Sequence, residues 1–119
     1  MSKNNYDPSN VFAKIIRGEI PCKKIYEDDY VLAFYDIAPV APVHVLVIPK
    51  GEYVNFSDFA INAPQEFFSH YYKKIDEIAN SLGLEYYRLI SNLGSESGQT
   101  VFHFHTHIIS GKNLLGLIG

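Results

Sequence analysis

Between Phe102 and Ile108 the chain alternates strictly: Phe102, Phe104, Thr106 and Ile108 interleave with His103, His105 and His107. Successive side chains of an extended strand point to opposite faces, so this run reads as a strand. Its first set of side chains is assigned to a core, and the three imidazoles share the other face. The whole segment TVFHFHTHIIS is expected to be strand, and it commits the chain to a sheet with an apolar side to cover.

The remaining segments fit around that sheet. KKIYED, DYVLAFYDI and VHVLVIPK are rich in β-branched and aromatic residues and read as three strands. Asp28 and Asp29 make the turn between the first two, and the prolines of APVAP force an extended connector before the third. EYYRLIS supplies a further strand. Asn10 caps a short helix over VFAKIIR, with Gly18 just past its end. In APQEFFSHYYKKIDEIANSLG, Phe67, Phe68, Tyr71, Tyr72, Ile75, Ile78, Ala79 and Leu82 recur at helical spacing, and Gly83 closes the long helix. The expected class is α+β: a mainly antiparallel five-stranded sheet, one long helix and a short N-terminal helix.

Length and composition suit one domain over residues 1–119, with a polar N-terminal extension (1–9) and an apolar C-terminal tail (112–119). Apolar residues make up 47% of the chain, enough for a core at this size. A net charge of −3 excludes the basic footprint of a nucleic-acid binder, while leaving room for a small phosphorylated ligand. Cys22 is the single cysteine, so no internal disulfide can form, and a reducing, cytoplasmic setting is expected. The start lacks the apolar core of a signal peptide, and NLLGLIG is too short to span a bilayer, so no membrane partner is expected.

Three aligned histidines point to chemistry of one of two kinds. In a metal site, His103 and His107 would have to converge from backbones about 13 Å apart along a strand, which requires a sharp bend. Zinc held by two of them with His44 is the second reading. In the first, a neutral imidazole attacks phosphorus directly, flanked by neighbours that position the phosphate or move a proton, with no metal or other cofactor. The loop NLGSESGQT feeds this strand and can aim main-chain N–H groups and the Gln99 amide at phosphate oxygens. Taken alone, Asp36 reads as a turn residue, and His44 reads equally as a core histidine or a site residue. His70 reads as surface.

His103-Phe-His105-Thr-His107-Ile-Ile resembles the signature of the histidine triad family, His-x-His-x-His followed by two apolar residues. FAKIIRGEIP, YEDDYVLAFYDIAPVAPVHVLVIPK and NLGSESGQTVFHFHTH extend that likeness to the Hint-type branch, from Val11 to about Ser110. The resemblance implies a homodimeric, purine nucleotide-binding enzyme that cleaves phosphorus–nitrogen bonds. His105 matches the nucleophile, His107 and His44 its partners, and His103 a supporting member. Asn92, Gly98, Gln99 and Thr100 match positions that contact the phosphate or leaving group. Asp36, with Ile37 beside it, matches the acid that holds the ribose hydroxyls. Phe12, Ile15, Ile20, Phe34 and Leu46 match the apolar slot around an AMP- or GMP-type base. Without the resemblance those five read as core.

One departure stands out. Animal members of the branch end in a Trp- and Pro-containing tail that influences the leaving group, whereas this chain ends KNLLGLIG and contains no Trp. Two other functions remain alongside the phosphoramidase: a nucleotide-binding scaffold with little turnover, and hydrolysis of dinucleoside polyphosphates.

Overall fold

The computed structural model describes residues 5–116. The elements run α1 (Val11–Ile16), β1 (Lys24–Glu27), β2 (Val31–Tyr35), β3 (Val43–Pro49), α2 (Phe56–Asn62), α3 (Gln65–Ser81), β4 (Arg88–Ile90), a 3-10 turn (Ser95–Ser97) and β5 (Thr106–Ser110). Every strand pair is antiparallel, in the order β1-β2-β3-β5-β4, which is the expected α+β class.

The turn signals act as the sequence implies. Asn10 accepts from the Ala13 N–H and so caps α1, and Gly18 follows at φ 79. Asp28 makes the β1–β2 turn by accepting from the N–H groups of Tyr30 and Val31. Burial pushes its carboxyl up, but those bonds and others from Tyr26 and His70 outweigh it and hold the group at about 2. His70 therefore differs from the surface residue expected: it is half-buried and donates to Asp28 across 2.7 Å.

β3 is buried on both sides, so its alternation separates two cores. Val45 and Val47 join Phe59, Tyr71, Ile75, Ile78, Phe104 and Ile108 beneath α2 and α3. Leu46 and Ile48 join Leu32, Phe34 and Phe12 beneath α1. The first core contains a chain of hydroxyls, fully buried at Tyr71 and Thr106 and partly at Ser91. Ser91 donates to Thr106, Thr106 to Tyr71, and Tyr71 to the Val47 carbonyl, at 2.8–2.9 Å. Each acceptor is thereby satisfied without water.

Two elements differ from expectation. α2 goes unforeseen because, at seven residues, it is too short for a repeating period to stand out. Its capping is local: Asn55 accepts from the Asp58 N–H, while the Asp58 carboxylate accepts from the Val54 N–H. The other difference is β5. The ladder covers Thr106–Ser110 rather than the whole run from Thr100, and Phe102 is exposed rather than in the core. The last β3–β5 pair is Val47 with Thr106. Beyond it β3 reaches Pro49, which has no N–H to offer a partner strand. The edge strand β4 is likewise shorter than EYYRLIS.

Candidate active site

Residues 99–105 lie outside the ladder, and isolated main-chain and side-chain bonds hold them instead. The Phe104 N–H donates to the Tyr53 carbonyl at 2.7 Å, and the His103 ring donates from Nε2 to the Pro49 carbonyl at 2.8 Å. The Gln99 amide donates to the carbonyls of Val54 and Val101 and accepts from the Gly94 N–H. Gln99, expected at the phosphate, has its amide committed to the loop, and its main-chain N–H donates to the Gly94 carbonyl. Gly98 sits at φ 109, a backbone that side chains resist, with the Asn92 amide packed close to where a Cβ would stand.

Phe104, Thr106 and Ile108 face the core under α3, and all three histidines take the opposite face, as alternation requires. Phe12 marks that face: its ring meets His105 edge-on at 4.9 Å and His103 at 6.3 Å. A cavity of about 310 Å³ opens between α1 and the sheet. It is lined by Phe12, Ile15, Ile20, Phe34, Asp36, Ile37, Leu46, Thr100, His105 and His107, all foreseen from the sequence. Val11, Pro21, Cys22, Tyr35 and Val101 also line it and were not. Their signal lay in plain view, since Val11, Pro21, Tyr35 and Val101 each adjoin a foreseen residue and Cys22 lies two positions from Ile20. His44, His103, Asn92, Gly98 and Gln99 are not part of the lining, and Ile37 is fully exposed at the rim.

Hydrogen bonds determine where each imidazole proton resides. His105 Nδ1 is 2.7 Å from the His103 carbonyl, an acceptor only, so the proton is on Nδ1 and Nε2 keeps its lone pair. The Val40 N–H donates to His44 Nδ1, so His44 carries its proton on Nε2. That Nε2 lies 2.8 Å from His107 Nδ1 and 3.3 Å from an Asp36 oxygen. His44 therefore donates to His107, which must hold its own proton on Nε2. Burial, followed by the nearby His105, lowers His103 to about 4. Burial, then His105 and His44, does the same to His107. Burial also lowers His105. All three rings are neutral near pH 7.

Asp36, His44 and His107 bring ligand-type atoms within 4.8 Å of one another, the one such cluster among the described residues. Two nitrogens bound to one zinc at about 2.0–2.1 Å each stand roughly 3.3 Å apart at a tetrahedral angle. The 2.8 Å between His44 and His107 is instead a hydrogen-bond distance, with one nitrogen donating and the other accepting. The geometry therefore favours proton placement over metal ligation.

This fold and this histidine row define a class, and sequence comparison gives it a name. The HIT domain model matches residues 17–114, and the chain belongs to that family. A HIT-like protein of Rickettsia prowazekii is 56% identical over 115 residues, covering 95% of this chain and 96% of the relative. Among solved structures, a HIT family hydrolase from Legionella pneumophila superposes with a TM-score of 0.85 at 35% identity, covering 93% of this chain and 100% of that one. A histidine triad nucleotide-binding protein from Candida albicans gives 0.79 at 33% identity, covering 88% and 76%. Among the described residues, no helix is long and apolar enough to cross a membrane.

Proposed function

We propose that the protein hydrolyses phosphoramidate (P–N) bonds of purine nucleoside 5′-monophosphates, through a nucleotidyl-histidine intermediate on His105. The observation that carries this reading is the bond from His105 Nδ1 to the His103 carbonyl, which leaves a lone pair on Nε2 of a ring that lines the cavity. Nε2 attacks phosphorus and the P–N bond breaks, the leaving amine taking a proton from solvent water at the mouth of the cavity. The imidazolium-like adduct keeps its Nδ1–H on the carbonyl, which stabilises the charge that develops there. His107, holding its proton on Nε2, donates to a phosphoryl oxygen. Water then displaces the histidine and releases the nucleoside monophosphate.

The cavity lining supports the choice of ligand. Its walls are apolar at the α1 end, suited to a flat base, and Asp36 offers a carboxylate to the ribose hydroxyls. Among the described residues its lining has no lysine or arginine, which suits the low charge of a nucleoside monophosphate better than a dinucleoside polyphosphate. The likeness to a nucleotide-binding protein and to a hydrolase of the family agrees. In this reading no cofactor is needed, the setting is the cytoplasm, and two copies pair as a homodimer. Tyr86 and Leu89, exposed beside and on the edge strand β4, suit that pairing.

Mass analysis after mixing with a slow adenosine phosphoramidate is expected to find one nucleotidyl adduct, on His105. His105→Ala is expected to lower chelator-insensitive turnover by about 10⁴-fold or more, in line with removal of other covalent nucleophiles. An adduct elsewhere, or an unimpaired variant, would overturn the mechanism. Faster turnover of a dinucleoside polyphosphate would move the protein to the other branch, and tight AMP binding without turnover would make it a scaffold.

A further inference from the structure

Behind the triad, on the side away from the substrate cavity, the Tyr6 hydroxyl lies 2.6 Å from His103 Nδ1. Tyr6 belongs to the segment expected to be a mere polar extension, and its direction of bonding can be deduced. His103 Nε2 faces the Pro49 carbonyl, which can only accept, so the ring's proton is on Nε2. Nδ1 then holds a lone pair, and Tyr6 must donate to it. The His103 ring is pinned at both nitrogens and held edge-on by Tyr6, with centroids 5.6 Å apart.

The consequence reaches His105. The His103 carbonyl accepts from His105 Nδ1 and so fixes which nitrogen of the nucleophile is free. A carbonyl with that task must be held in place, yet β5 begins only at Thr106. The Phe104 N–H of the same peptide is bonded to the Tyr53 carbonyl, and the His103 ring adds a second anchor to its own main chain. Tyr6 is itself tethered to α1 through the turn that follows it: the Asn10 N–H and side-chain amide both donate to the Asp7 carbonyl, and Arg17 donates to that of Pro8.

We propose that Tyr6 is a positioning residue for the reaction, acting through His103 to hold the His105 nucleophile in its reactive tautomer and orientation. The proposal rests on the phosphoramidase reading given above. Tyr6 does not line the substrate cavity, so its influence falls on the chemical step rather than on binding.

Tyr6→Phe keeps the ring and removes only the donor. With active sites counted by the nucleotidyl adduct, kcat for an adenosine phosphoramidate is expected to fall about fivefold, the worth of one hydrogen bond, with KM unchanged. In ¹⁵N NMR, the His103 Nδ1 resonance is expected to move to the position of an unbonded pyridine-type nitrogen. Tyr6→Leu, which also removes the edge contact, is expected to lose more. An unchanged kcat per titrated site in both variants, with wild type active, overturns the role of Tyr6 and leaves His105 as nucleophile. A wild type inert toward the phosphoramidate overturns the underlying reading and the role of Tyr6 with it.

Discussion

The two faces of the sheet are built from the same strands and end in opposite states. β3 sends Val45 and Val47 one way and Leu46 and Ile48 the other, all four buried. On the first face, seventeen-residue α3 and the shorter α2 seal the surface, leaving Phe59 and Tyr71 without exposure. On the second, α1 has six residues and covers only part, so a cavity of about 310 Å³ remains. The length of the covering helix therefore separates packing from chemistry. The sealed face also serves the open one, because Phe104 anchors the unpaired segment from below while its neighbours His103 and His105 turn the other way.

The largest break in this division is expected from Phe59→Ala. Phe59 stacks on Phe104 at 5.0 Å and on Phe68 at 5.4 Å, and meets Tyr71 edge-on at 5.0 Å. Removing a buried ring costs about 3–5 kcal/mol in stability, read from urea unfolding. Turnover is also expected to fall, because Phe104 loses its support between two histidines. A loss under about 1 kcal/mol would mean that the sealed face is not where this molecule's stability is concentrated.

A somewhat smaller effect, from the open face, follows from pH. His103 protonates at about 4 in the folded chain against 6.5 for the ordinary group. Between those values the unfolded chain binds more protons, so stability rises with pH there. The full contribution is present above pH 6.5 and declines as pH falls toward 4. For His103 it is on the order of 3 kcal/mol. His107 adds to it with the same sign, discounted for its partial exposure. Denaturant unfolding from pH 7.5 to 4.5 is expected to show this decline, and replacing His103 by Asn to reduce it to the share that His107 leaves. A flat wild-type profile would show that the imidazoles are not shielded from protons by burial.

The site was more legible in the sequence than the scaffold that holds it. Alternation placed the three histidines on one face, and the family resemblance supplied most of the cavity lining. Neither conveyed how residues 99–105 are held. Gln99 shows why: in a Gly- and Ser-rich loop its amide looks available for a ligand, and only the fold brings the Val54 carbonyl to it. His70 and Tyr6 share that difficulty, each bonding a partner distant in sequence, Asp28 and His103. Local features fared better, such as the caps at Asn10 and Asp28, whose partners lie within three residues. The missed helix α2 left a signal of the same local kind, Asn55 followed three residues later by Asp58.

The finest test of the division between faces is Tyr71→Phe, which removes a single oxygen from the sealed side. That oxygen accepts from Thr106 and donates to the Val47 carbonyl, and the residue is fully buried. Its loss leaves two buried partners short of a bond, a cost of about 1–2 kcal/mol. Thr106 adjoins both His105 and His107 in sequence, but its side chain points away from them. If the sheet insulates one face from the other, unfolding shifts by that amount while kcat and KM stay at their wild-type values. A fall in kcat alongside the stability loss would show that the hydroxyl chain from Ser91 to Val47 sets the strand on which His107 is presented, and that the two faces are coupled through Thr106.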